Sequence, residues 1–128
     1  MPFIVPTNER LQQLQAEAYK GPIVMVNLLK FKPDGGAALY EKYYRAVTKL
    51  ALGRLITGTA FLGTGLMPVI GDEEWDEVIL VEYPSIAAFL EMLQNKEYQT
   101  YAQWRSESLL DSRLYCTVPK DKSVPETE

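Results

Sequence analysis

A chain of 128 residues, 47% of them apolar, is long enough to form one globular domain with a hydrophobic core of its own. Its net charge of −4 and its scattered Lys and Arg residues exclude the clustered basic face that nucleic-acid binding requires. No apolar run reaches the roughly 18 residues of a membrane span, so we expect neither nucleic acid nor a membrane as a partner.

The absence of histidine is the sharpest constraint on chemistry. It removes the usual general base at neutral pH, the Ser–His and Cys–His nucleophile pairs, and a histidine-ligated haem. With a single cysteine, Cys116, the common zinc sites are excluded as well. We therefore expect neither a metal nor a cofactor. One thiol also cannot form an intrachain disulfide, which agrees with a reducing, cytoplasmic location.

The first half of the chain predicts a helix, a strand and a second helix. Thr7 is placed to cap a short helix that ends before Gly21-Pro22. The strand PIVMVNLLKFK, residues 22–32, is apolar on both faces, so both faces must be covered. After a turn, the apolar residues of AALYEKYYRAVTKLA, residues 37–51, share one stripe of an amphipathic helix.

The second half predicts a β-hairpin, two helices and a last strand. The hairpin joins a glycine-interrupted strand over residues 58–70, through an acidic loop, to the strand WDEVILVEY, residues 75–83. Ser85 is placed to cap the helix that follows, whose apolar residues recur at i, i+3, i+4 and i+7. The remaining predicted elements are a helix over 97–109, a strand over 111–118 and a mobile tail over 120–128.

This order, an initial helix and then βαββαβ, is the split-βαβ pattern of the ferredoxin-like fold. We expect one α+β domain, residues 1–119, with helices on one face of a four-stranded antiparallel sheet. The other face is left open. Burying about 800 Å² of it per partner, at roughly 25 cal/mol per Å², contributes near 20 kcal/mol. Because association costs an estimated 4–15 kcal/mol or so, we expect a homodimer that pairs through the open face.

Side-chain alternation suggests which residues lie on that open face. In the first, third and fourth strands the even positions are mostly aliphatic, whereas the odd positions include Asn27, Trp75 and Arg113. An interior packed against helices cannot hydrogen-bond polar groups cheaply. We therefore expect the odd positions on the open face, where they line a dimer interface, a pocket or both.

Three polar side chains are candidates for ligand binding. Asn27 lies inside an apolar strand, and its amide needs a partner if it is buried: a ligand oxygen, a neighbouring side chain or the second subunit. Arg113 and Arg105 are a candidate pair for a carboxylate. The alternative for Arg113 is a structural ion pair with Asp111, Glu77 or Glu82.

Two aromatic residues complete the candidate set. Tyr44 is placed to lean over the sheet edge toward a pocket mouth, and Trp75 to wall a hydrophobic pocket or an interface. Other features are interpreted as structural: Lys30 as a solvated charge at a strand end, the acidic loop as a solubilising hairpin tip, and Cys116 as an inert buried thiol. No catalytic residue is assigned.

The stretches PIVMVNLLKFK, WDEVILVEYPSIAAFLEML, EYQTYAQWR and DSRLYCTVP resemble the domain of unknown function 1330 (DUF1330) family over residues 20–119. That family belongs to the dimeric α/β-barrel superfamily. The resemblance implies a ferredoxin-like protomer whose sheet pairs face to face with its twin, and it implies no established reaction. Relatives in the superfamily include cofactor-free monooxygenases, lactone isomerases and haem enzymes, and the lack of histidine departs from the haem branch.

These observations predict a small homodimer that binds a small organic molecule in a pocket beside the sheet. Whether it is an enzyme stays open. The residue types allow proton transfer by a carboxylate or tyrosine, with Asn27 or Arg113 stabilising negative charge, so cofactor-independent oxygenation or isomerisation is compatible with them. The alternative is a binding or stress-associated dimer with no chemistry of its own.

Overall fold

Helices and strands follow one another in the predicted order in the computed structural model, which describes residues 2–120. The predicted tail therefore lies outside the described residues, apart from Lys120. The elements are α1 (Asn8–Gln15), β1 (Ile23–Phe31), α2 (Gly36–Ala51), β2 (Gly58–Thr64), β3 (Glu77–Tyr83), α3 (Ile86–Gln94), α4 (Lys96–Ser108) and β4 (Leu109–Thr117).

The four strands form one antiparallel sheet in the order β2-β3-β1-β4. The central strands β1 and β3 carry apolar side chains on both faces, as their central place in the sheet requires. Register shifts interrupt the pairing of β1 with β4 between Lys30 and Phe31, and that of β2 with β3 between Thr59 and Phe61. This arrangement confirms the predicted α+β topology with helices on one face.

Side-chain caps start three of the helices. Thr7, Ser85 and Asn95 each accept a hydrogen bond from the backbone N–H three residues later, at 3.1, 3.0 and 3.0 Å. Such caps satisfy one of the otherwise unpaired N–H groups of the first helical turn. The caps predicted at Thr7 and Ser85 are confirmed, and the cap at Asn95 starts α4 one residue earlier than predicted.

The predicted β2 is too long. It ends at Thr64 rather than at residue 70, and the bond from the Gly65 N–H to the Asp76 carbonyl oxygen, at 2.9 Å, is the last backbone hydrogen bond between the two strands. The segment beyond includes Pro68, which cannot donate to a strand ladder. Residues 66–70 therefore leave the sheet, and the loop between the two strands is much longer than the predicted four-residue acidic loop, residues 71–74.

The core lies between the sheet and α2, α3 and α4. It combines aliphatic side chains of β1 and β3 with aromatic side chains of the helices, and the hydroxyl groups of Tyr43 and Tyr98 are hydrogen bonded to each other at 3.0 Å. Every buried side-chain N or O atom among residues 2–120 has a hydrogen-bond partner. No helix in the same part of the chain is both long and apolar enough to cross a membrane.

Candidate functional site

The strand register decides which side chains share a face of the sheet. Asn27 pairs with Ile79 on one side and with Leu114 on the other, so these three lie on the face that the helices cover. The odd positions of β1 and β3 are thus buried under helices, and the prediction that they lie on the open face is wrong. The same prediction is correct for β4, where the odd positions Arg113, Tyr115 and Thr117 lie on the open face.

The open face carries mostly apolar side chains. Its central row runs across all four strands as Phe61, Leu80, Val26 and Tyr115. Phe61 and Tyr115 are exposed, and the other two are half-buried. Above and below this row lie Val24, Leu28 and Val78. A row of apolar residues without cover is typical of an interaction surface.

Asn27 is buried on the helix-covered face, not on the open one. Its side-chain N–H donates to the Ile79 carbonyl oxygen of the neighbouring strand at 3.3 Å. The sequence had left open a ligand oxygen, a neighbouring side chain or the second subunit as the partner of Asn27. The partner is none of these but a main-chain carbonyl oxygen. Asn27 is therefore separated from Arg113 by the thickness of the sheet, and the two do not form one site.

Arg105 and Tyr44 also lie in the helix layer. Arg105 donates to the Ile4 carbonyl oxygen at 2.9 Å and so fastens the N-terminal segment to α4. The Tyr44 hydroxyl is hydrogen bonded to Thr59 on the edge strand β2, which fits the predicted lean over the sheet edge. Since Arg105 and Arg113 lie on different layers, they do not form a shared carboxylate site.

Arg113 and Trp75 are the two predicted site residues that meet. The Arg113 guanidinium lies 4.9 Å from the centre of the Trp75 ring and 4.9 Å from that of Phe3, between the two aromatic side chains. It also pairs with Asp111 at 2.9 Å, as the structural alternative predicted, and with Glu73 at 3.6 Å. Cation–π contact and ion pairing together fix this arginine in place.

A cavity of about 790 Å³ opens beside Trp75, where the long β2–β3 loop folds over one end of the open face. Trp75 forms part of its wall, and Val78 and Lys30 belong to the sheet. Other apolar wall residues come from the loop: Leu66, Met67, Pro68 and Ile70. The volume lies in the range of small-molecule sites, although the lining is more polar than is usual for them.

Lys30, which the sequence led us to interpret as a solvated charge at a strand end, lines this cavity. Cross-strand register places it opposite Asp111, yet no ion pair joins Lys30 to a carboxylate among residues 2–120. The Asp111 carboxylate instead accepts hydrogen bonds from Arg113 and from the N–H groups of Phe3 and Ser112. These bonds, that of Phe3 above all, hold the pKa of Asp111 below its ordinary value. The signal available in the sequence was the single cation inside an apolar strand.

Acidic side chains line the outer part of the same cavity: Asp72, Glu73, Glu74 and Asp76. Two of them have structural partners, because Asp76 accepts the Phe31 N–H at 2.8 Å and Glu73 accepts the Trp75 ring N–H at 3.2 Å. No group of three or more acidic or Cys side chains within residues 2–120 is arranged to hold a metal ion.

A second acidic feature lies on the helix-covered face. Burial raises the pKa of the half-buried Glu77 carboxyl, and the nearby charges of Glu41 and Asp76 add to the effect. The charge of Glu77 in turn raises the pKa values of Tyr40 and Tyr44, for both of which burial is the main cause. A carboxyl group and two phenols therefore share the region where α2 crosses the start of β3.

Comparison with solved structures defines the class first. A protein of unknown function from Bacteroides fragilis, described as dimeric with a ferredoxin-like fold, is 14% identical with a TM-score of 0.56, over 77% of this chain and 97% of that one. A candidate antibiotic biosynthesis monooxygenase from Caulobacter crescentus is 16% identical with a TM-score of 0.60, over 80% and 93%. The chain is a ferredoxin-like α+β protein.

A more similar protein shows the family. The RPA0582 protein of Rhodopseudomonas palustris, described as of unknown function, is 34% identical to this chain, and its two structures give TM-scores of 0.86 and 0.82. The similarity covers 94% of this chain and 97% and 99% of those chains. The chain belongs to the family of RPA0582. No family model and no curated protein matches it, so the resemblance to DUF1330 is supported at the level of the fold alone.

Proposed function

We propose that the protein is a homodimer that binds a small organic molecule in the cavity beside Trp75. The observation that carries the proposal is this cavity of about 790 Å³, whose wall combines apolar loop side chains and Trp75 with four acidic residues and a lysine that has no carboxylate partner among residues 2–120. An organic molecule with an apolar part against the loop side chains and one polar group at Lys30 fits such a wall. Small acids, phenols and lactones are therefore the compounds to test.

The dimer half of the proposal rests on the open face. Its central row, Phe61-Leu80-Val26-Tyr115, remains in contact with water in a single chain. A contiguous apolar surface of this kind is uncommon on monomers and typical of interfaces. One solved structure with the same fold is described as dimeric, which supports pairing at a coarse level. Light scattering at micromolar concentration tests it, and a monomer there contradicts the dimer.

Ligand binding is tested by thermal-shift screening with benzoate, phenol and simple lactones, followed by titration. Replacing Trp75 by Ala removes a wall of the cavity, so we expect at least tenfold weaker binding of any compound that raises the melting temperature. The matched control is Trp104→Ala, since Trp104 stacks on Tyr101 in α4 and lies away from the cavity. Equal loss in both variants, or in neither, contradicts the assignment of the cavity.

Binding without chemistry is the form of the proposal that the contacts favour. Asn27, Arg105 and Arg113, which were candidates for stabilising charge, already bond to main-chain or acidic groups of the protein. None of the three contributes to the cavity wall. The polar side chains next to a bound ligand are therefore Lys30 and the carboxylates of the cavity wall: Asp72, Glu73, Glu74 and Asp76.

A second candidate function is a cofactor-independent oxygenation or isomerisation at a separate position beside Glu77, which lies on the helix-covered face and does not line the cavity beside Trp75, and whose pKa is raised by burial. A carboxyl group whose pKa lies closer to neutrality is a better proton acceptor and donor at working pH. Product formation from a screened compound in air, abolished by Glu77→Gln and left unchanged by Trp75→Ala, supports this candidate as a site separate from the cavity. Recovery of the compound unchanged contradicts it.

A further inference from the structure

The loop that walls the cavity contains a short segment, residues 65–71, which we call the arm. Its large apolar side chains are nearly free of contact: Leu66 is 93% exposed, Val69 88% and Ile70 95%, with Met67 at 65%. Single exposed apolar residues are ordinary on protein surfaces, but four within five positions are not. The arm therefore needs cover that one chain does not supply.

The root of the arm is fixed to the sheet. The Asp76 N–H donates to the Leu29 carbonyl oxygen at 2.8 Å, and the Asp76 carbonyl accepts the Gly65 N–H at 2.9 Å. A Cβ atom at Gly65 would lie 1.8 Å from the Trp75 carbonyl oxygen, so only glycine permits this approach of the two backbones. Gly71, at φ +96°, makes the turn at the far end. The arm thus starts from a defined position beside the open face.

The same arm residues are both cavity wall and exposed surface. Leu66, Met67 and Ile70 line the cavity, and each remains more than half exposed. The cavity is thus bounded by the sheet and the root of the arm but lacks an outer wall. A small molecule bound there would leave these side chains in contact with water.

We propose that a second copy of the chain supplies the missing wall, so that the arm packs on the partner and each ligand cavity is complete only in the dimer. This inference rests on the proposed dimer and adds the arm as a second contact region, continuous with the open face. Full burial of one aliphatic side chain removes roughly 60–120 Å² of apolar surface. Four such side chains remove about 240–480 Å² per copy, a large share of the roughly 800 Å² that each partner buries in a stable interface.

The test separates the arm from the open face. Leu66→Ser together with Ile70→Ser removes most of the apolar surface of the arm without touching the core. The control is Leu52→Ser, a leucine that is 54% exposed after the end of α2 and outside both regions. We expect the arm variant to raise the dimer dissociation constant at least tenfold, measured by sedimentation, and the control to change it less than twofold.

A second measurement addresses the cavity. In a Trp104→Phe background, quenching of Trp75 emission by acrylamide reports access to the cavity wall. We expect Trp75 to be at least twofold better protected in the dimer than in the arm variant, at a concentration where the arm variant is a monomer.

The outcomes distinguish the inference from the proposed function. A dimer that tolerates the arm variant but dissociates on Leu80→Glu, with Trp75 equally accessible in both, overturns the role of the arm and leaves the proposed dimer intact. A wild-type monomer at micromolar concentration overturns both. A wild-type monomer that binds vesicles of phosphatidylcholine through the arm overturns the second copy as its occupant and identifies a lipid surface instead.

Discussion

Alkaline pH is expected to destabilise the fold steeply, because several tyrosine hydroxyl groups are buried. Tyr40, Tyr43 and Tyr83 are 4%, 7% and 6% exposed. Burial raises the pKa of each well above its ordinary value near 10. For Tyr43, the charges of nearby tyrosines act in the same direction, and Arg105 opposes them.

The direction of this pH dependence follows from the number of protons that the folded and the unfolded chain bind. Below about pH 10 all three hydroxyl groups are protonated whether the chain is folded or not, and stability does not depend on them. Above it, the unfolded chain releases three protons that the folded chain keeps, so stability falls by about 1.4 kcal/mol per pH unit for each tyrosine. Because the unfolded hydroxyl groups are only half ionised at pH 10, the loss between pH 10 and 11 is about 1 kcal/mol per tyrosine and about 3 kcal/mol for three, a large part of a typical stability of roughly 5–15 kcal/mol.

Urea unfolding followed by circular dichroism from pH 8 to 11, at one protein concentration, measures this slope. We expect a flat region up to about pH 9.5 and then the steep fall. Tyr83→Phe should reduce the slope by about one third, whereas Tyr115→Phe, an exposed tyrosine, should leave it unchanged. Ionisation of all eight tyrosines in tyrosinate absorbance while the protein stays folded contradicts the burial on which the prediction depends.

Three further predictions concern single contacts. Tyr43→Phe leaves the buried Tyr98 hydroxyl without its partner and should lower the free energy of unfolding in urea by about 1–3 kcal/mol. The double variant with Tyr98→Phe should lose less stability than the sum of the two single changes. Additive losses would show that the 3.0 Å contact is not a hydrogen bond. Gly65→Ala places a methyl group against the Trp75 carbonyl and should lower the melting temperature by several degrees. The control is Gly58→Ala, because the space around Gly58 is open. Equal effects of the two variants would contradict the close approach of the Gly65 and Trp75 backbones. Lys30→Met should weaken binding of benzoate at least tenfold and of phenol less than threefold, and equal loss for both compounds would remove Lys30 from the proposed role.

The order of elements could be predicted because each has a local signal. The apolar strands β1 and β3, the stripe on α2 and the caps at Thr7 and Ser85 depend on residues near one another in sequence, and all are confirmed. The assignment of the faces failed for β1 and β3, because both faces of each strand are apolar and composition could not separate them. The large side chains Met25 and Tyr83 fill the space under the helices, whereas small Val residues remain on the open face.

The candidate site depended on register, which no local signal gives. The positions of Asn27 and Arg113 have the same parity, but the pairing of β1 with β4 aligns odd positions of one strand with even positions of the other. The two side chains therefore emerge on opposite faces. Trp75 and Arg113 meet because both lie at the same end of the open face, a juxtaposition that becomes apparent only once the strand order is known.

The arm shows what a failed strand prediction reveals about function. Residues 65–70 have the apolar composition of a strand, but Gly65 closes the hairpin before them and Pro68 cannot join a ladder. Their apolar side chains are consequently excluded from the sheet and remain exposed, outside the core cluster. An exposed apolar segment of this kind is typical of a surface that contacts another molecule. The position of this segment, beside an uncovered sheet face and around a cavity, makes that contact part of the proposed binding site.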